Sequence, residues 1–177
     1  QAGEAPDRSR AGCCCTLAGD LRNTGSQRIV GTLCLTGNER HMLMTTITGG
    51  CFCKAIQYRI KTGISMAVNC HCNVCRKAGG GAFSSLAVVS ERRFEIVSGE
   101  ESLSPFHLGE VVTKHFCRHC GTPIFNSNKH YPGHRMVAVG TLDDPKVVTP
   151  TANIHCDSQL AWVTLDEKIQ NFQQDYS

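Results

Sequence analysis

Seven cysteines fall into three tight groups: Cys51-Phe52-Cys53, Cys70-His71-Cys72-Asn73-Val74-Cys75 and Cys117-Arg118-His119-Cys120. Thiolate sulfur is a favoured zinc ligand, and two cysteines one or two residues apart can grip one ion from a single turn. Four thiolates close a tetrahedral structural site. Three leave a coordination position open for water or a ligand.

Cys51 and Cys53 follow Gly49-Gly50, read here as a turn that leads into a strand. Cys117 and Cys120 precede Gly121, the pattern of a zinc knuckle in which backbone N–H groups point at the sulfurs. Together the two pairs would make a structural zinc site that ties the N-terminal strand to the centre of the domain. Cys70, Cys72 and Cys75 would hold a second zinc from one side only. Three thiolates outweigh a dication by one charge, so this ion is a weak Lewis acid suited to capturing another soft thiol as its thiolate. His71 as a fourth ligand, or closure of a second structural site by His155 or Cys156, are the alternatives. Arg76 and Lys77 could receive carboxylates of an anionic substrate. Gly79, Gly80 and Gly81 would let the backbone approach a ligand closely.

Short strands must position these groups. Residues 55–60 alternate apolar and polar, as a half-buried strand does. Residues 84–89, 93–97, 111–116, 136–139 and 147–149 are further strand candidates, punctuated by Gly and Asp-Pro. A short helix after Cys72 and a weak one within 166–173 complete the reading. The expectation is a small, mainly β, zinc-stabilised domain over residues 44–177. Residues 1–43 read as a leader of different character, holding Cys13, Cys14, Cys15 and Cys34, and Met42 or Met44 could be a natural start.

The chain has 177 residues and a net charge of +3, too small to argue for nucleic acid. It contains neither an apolar run of membrane-spanning length nor a secretory h-region. Cysteine pairs in such a chain read as metal ligands in a cytoplasmic setting rather than as a disulfide scaffold. Oligomeric state is left open.

The ordered elements resemble the glutathione-dependent formaldehyde-activating enzyme family, whose domain also occurs in a vertebrate centromere-associated protein. They are Gly50-Cys51-x-Cys53, Cys70-His71-Cys72-x-x-Cys75-Arg76-Lys77 with Gly79, Gly80 and Phe83, then Phe116-Cys117-x-x-Cys120-Gly121-Thr122-Pro123-x-Phe125, Gly140 to Pro145, and Trp162. The resemblance runs from about Gly49 to Phe172. It implies an Mss4-like β fold, a structural zinc on Cys51, Cys53, Cys117 and Cys120, and a catalytic zinc on Cys70, Cys72 and Cys75. It also implies carbon–sulfur lyase activity, joining formaldehyde to a small thiol, glutathione. His71 and His115 are base candidates by residue type alone, with a surface position expected for either. Where many members carry His-Ile before the late Trp, this chain reads Asn153-Ile154, which would alter what it accepts if that position meets substrate. A non-enzymatic zinc interaction module and a thiol-responsive zinc store are the competing readings.

Overall fold

A computed structural model describes residues 46–61 and 63–175. The expected leader, with Cys13, Cys14, Cys15, Cys34 and the two methionine starts, lies outside them. The described strands are β1 (Thr46–Gly50), β2 (Gln57–Lys61), β3 (Met66–Cys70), β4 (Ser84–Ser90), β5 (Phe94–Ser98) and β6 (Leu103–Leu108). They continue with β7 (Val112–Cys117), β8 (Pro123–Asn128), β9 (His134–Ala138), β10 (Ala152–Ile154) and β11 (Gln170–Asn171). One helix, α1 (Asn73–Gly79), follows β3. The protein is mainly β, as expected. No helix among the described residues is long and apolar enough to cross a membrane.

Strands β1, β2 and β5 form a small antiparallel sheet. The other eight form one sheet in the order β11-β10-β3-β4-β9-β8-β7-β6, with β10 parallel to its two neighbours and all other pairs antiparallel. Side-chain alternation decides what each face meets. In β2, Tyr58 and Ile60 are buried while Gln57 and Lys61 are exposed. They pack with Phe94 against Ala87, Val89, Ile124, Phe125 and Val137 of the large sheet. Each large side chain buried there stabilises the fold by about 1.5–3 kcal/mol. Phe94 stacks on Tyr58 and meets Phe125 edge-on. The opposite face of the large sheet carries Val68, Leu86, Ile154 and two cysteines. The large sheet is therefore a wall with the main core on one side and a second, smaller cluster on the other.

Five expected strands appear as β2, β4, β5, β7 and β9, with ends shifted by one or two residues. Three local expectations are corrected. Gly49 and Gly50 lie in β1 and not in a turn, paired with Tyr58 and Gln57 of β2, and position 49 needs glycine because a Cβ there would run into the Tyr58 hydroxyl and the Thr141 carbonyl. The turn instead holds the cysteines. Residues 147–149 form no strand: Pro145–Val147 is a 3-10 turn capped by the Asp144 carboxylate, which accepts from the Lys146 N–H. Residues 166–173 form no helix, because β10 recruits Gln170–Asn171 as an edge strand, with Phe172 N–H donating to the Asn153 carbonyl.

Candidate functional site

The expected cysteine groups are brought together as two clusters. The sulfurs of Cys51, Cys53, Cys117 and Cys120 lie within 4.8 Å of one another, and so do those of Cys70, Cys72 and Cys75. In the first, Cys51 Sγ is 3.5 Å from Cys53 Sγ, which is 3.7 Å from Cys117 Sγ. A tetrahedron with Zn–S bonds of about 2.3 Å has edges of about 3.8 Å, so the donor set fits zinc.

Local turns aim the four sulfurs. Cys51 follows β1, and the chain reverses by a Lys54 N–H to Cys51 carbonyl bond with Lys54 at φ 63. The Ile56 N–H then donates to Cys51 Sγ at 3.2 Å. Cys117 ends β7, and Gly121 closes the knuckle at φ 73, its N–H donating to the Cys117 carbonyl. The Thr122 hydroxyl, with the backbone N–H groups of Cys53 and Thr122, pulls the Cys120 thiol down to about 5. Such N–H···S donors favour thiolate, the form a metal binds.

The second cluster is built by the β3–α1 junction. Cys70 ends β3, Cys72 caps α1 by accepting the Cys75 N–H at 3.3 Å, and Cys75 sits in the helix's first turn. Cys70 and Cys75 are buried and Cys72 is partly open. The thiols of Cys70 and Cys75 donate to Cys72 and push it well below the usual thiol range. Cys70 is pushed up by the same sharing and by burial. Lys114 Nζ approaches Cys75 Sγ at 3.7 Å, placing a cation beside three potential thiolates.

All three cysteines line a cavity of about 460 Å³, within the ~300–1,000 Å³ range of small-ligand sites. Its wall on β3, β4 and β9 is Met66, Val68, Leu86, Val88 and Met136. Lys114, Asn126, Asn128 and His155 supply polar atoms. Lys114 and Asn126 are register partners on β7 and β8, so only strand pairing brings them together. No single segment of the sequence signals that pairing.

Arg76, Lys77 and Gly80 do not line this cavity. Arg76 and Lys77 occupy the last turn of α1, and Gly80 ends it in the left-handed conformation at φ 67, its N–H returning to the Arg76 carbonyl. His71 is not at the surface but 1% exposed, its ring against Phe83. Alternation from Cys70 sends it to the other side of the strand and away from the sulfurs. His115 is half-buried and stacks on Phe125 at 4.2 Å, and burial pushes its pKa down. His155 lines the cavity, whereas Cys156 belongs to neither cluster.

Asn153 also faces away from the cavity. Its Oδ1 accepts from Asn69 Nδ2 at 3.1 Å and its Nδ2 donates to Asn171 Oδ1 at 2.7 Å. Ser85 Oγ donates to Asn69 Oδ1 at 2.7 Å. One polar ladder thus crosses β4, β3, β10 and β11, with His71 Nε2 3.5 Å from Asn153 Oδ1.

A solved structure of a Rhodobacter sphaeroides protein is similar at 26% identity and a TM-score of 0.49, covering 56% of this chain and 93% of that one. The sequence profile described as "Glutathione-dependent formaldehyde-activating enzyme" matches residues 46–158, well over half of the chain and both cysteine clusters. The chain belongs to the glutathione-dependent formaldehyde-activating enzyme family.

Proposed function

We propose that this chain is a zinc-dependent carbon–sulfur lyase that reversibly joins formaldehyde to glutathione as S-(hydroxymethyl)glutathione. The observation that carries the reading is that Cys70, Cys72 and Cys75 all line a ligand-sized cavity, to which, among the described residues, Cys51, Cys53, Cys117 and Cys120 contribute nothing. Cys51, Cys53, Cys117 and Cys120 would hold a structural zinc, and Cys70, Cys72 and Cys75 the working one. Zinc at the second cluster would favour an incoming thiol as its thiolate.

The chain's own residues set the rest. Cys70 and Cys75 would hold the metal from the buried side and Cys72 from the helix cap, and all three line the cavity a thiol would enter. Lys114, 3.7 Å from Cys75 Sγ, would offset the excess negative charge of three thiolates on one dication. The apolar wall lowers the local polarity beside Lys114, which would strengthen its interaction with the cysteines. In the reaction the thiol loses its proton, sulfur bonds to the carbonyl carbon, and the carbonyl oxygen takes up a proton. Atoms balance with no oxidant or reductant.

The test is zinc stoichiometry with and without millimolar glutathione, followed by NMR detection of adduct. Two zincs per chain, one perturbed by glutathione, with accelerated adduct formation, is the expected result. One zinc indifferent to glutathione, with no acceleration, removes the reading in favour of an interaction module.

A further inference from the structure

The cavity in front of the three cysteines is larger and more apolar than formaldehyde requires. Cys70, Val68 and Met66 occupy alternate positions of β3 and line one side of it. Register pairs Val68 with Leu86 and Met66 with Val88, and Val88 in turn pairs with Met136. Five apolar side chains therefore form one continuous surface on three adjacent strands, and it begins at a cysteine. At about 3.3 Å per residue, the wall runs roughly 13 Å along β3 from Cys70 to Met66. A one-carbon aldehyde would touch only its first few ångströms. Lys114, Asn126 and Asn128 reach the cavity from β7 and β8, and His134 lies at the start of β9 beyond Met136, so the five apolar side chains remain adjacent to one another.

We infer that the cavity accepts the apolar chain of a longer aldehyde, so that the thiol adducts handled here carry an alkyl arm lying along Val68, Leu86, Val88, Met66 and Met136. The inference rests on the proposed thiol–aldehyde chemistry and specifies its aldehyde. The thiol adds to the carbonyl of R–CHO, the S–C bond forms, and the oxygen takes a proton to give the S-(1-hydroxyalkyl) adduct. No further reactant is needed. The arm gains affinity from apolar surface removed from water, which the wall provides and a polar cavity would not.

The experiment is calorimetric titration of the zinc-loaded full chain with glutathione and with S-methyl-, S-propyl- and S-hexylglutathione, stable stand-ins for adducts of increasing arm length. Affinity is expected to rise about two- to fourfold per added methylene. Met136→Asp, and the gentler Val88→Thr, should flatten that rise, each affinity being read relative to S-methylglutathione in the same variant. A flat series in the wild-type protein, with glutathione still bound, overturns the apolar arm and leaves the proposed function standing. A rise that neither variant reduces also overturns it, because the arm then lies elsewhere. Failure of every probe, glutathione included, removes both.

Discussion

The two cysteine clusters use the same ligand on opposite sides of one sheet. Cys51 and Cys117 belong to the main core, between the small sheet and the large one. Cys70 and Cys75 belong to the second cluster, on the far face of the large sheet. The first set comes from two turns some 65 residues apart in the chain, so a metal there closes a long loop. The second comes from six consecutive residues and closes almost nothing. Ligand chemistry alone would therefore not divide the proposed structural site from the proposed working one. The proposed division rests on how much chain a metal would tie together and on what lies beside the cluster.

The largest effect should come from breaking the first cluster. Cys117 is fully buried, and a structural zinc contributes about 10–16 kcal/mol of apparent free energy, as much as the ~5–15 kcal/mol stability of a whole domain. Cys117→Ser should leave the protein unfolded or insoluble, measured by circular dichroism and metal content. A folded variant retaining two zincs would falsify the assignment. Cys72→Ser should instead remove one zinc and thiol binding while the far-ultraviolet spectrum stays native. If it unfolds the chain, the second cluster is structural too and the contrast collapses.

A third variant separates stability from substrate contact on the large sheet. Asn153→Ala leaves Asn69 and Asn171 without their shared partner, at a cost of about 1–3 kcal/mol. The expected outcome is a lower melting temperature with unchanged zinc content and unchanged thiol affinity. A change in thiol affinity without a change in melting temperature would show that this position reads substrate after all.

How far the sequence goes depends on how local each feature is. Both cysteine clusters are legible, because their ligands sit in short spacings and their four-and-three division follows from zinc's coordination number. The helix after Cys72 is legible for the same reason, since its cap is Cys72 itself. Strand β3 escapes periodicity because Ala67 and Val68 are buried on opposite faces and leave no polar alternation. The Val147-Val148-Thr149 run has strand propensity, yet Asp144 and Pro145 set a turn first. Lys114 reads as an ordinary solvated lysine until the β7–β8 register puts Asn126 beside it and the fold brings Cys75 within reach. His71 looks exposed between two ligands but is buried by Phe83 and the asparagine ladder.

The smallest effect expected is also the one that most sharpens the contrast. Lys114 is the cation beside the three-cysteine cluster, at 3.7 Å from Cys75 Sγ. The four-cysteine cluster, by contrast, draws on backbone N–H groups and the Thr122 hydroxyl. Three thiolates around a dication leave one excess negative charge, and a charge-assisted hydrogen bond of this kind contributes about 1.5–3 kcal/mol, less what solvent screens. Lys114→Met keeps the length of the side chain and removes the charge. Zinc affinity at the second cluster should then fall about tenfold, that is about 1.4 kcal/mol, measured by chelator competition, while the first zinc stays bound. Lys114→Arg should restore most of the loss, because charge and not ammonium shape is required. Equal weakening of both zincs would mean that Lys114 acts through the fold. No weakening of either would mean that the excess charge is compensated by solvent, and that the open side of the cluster is wetter than its apolar wall implies.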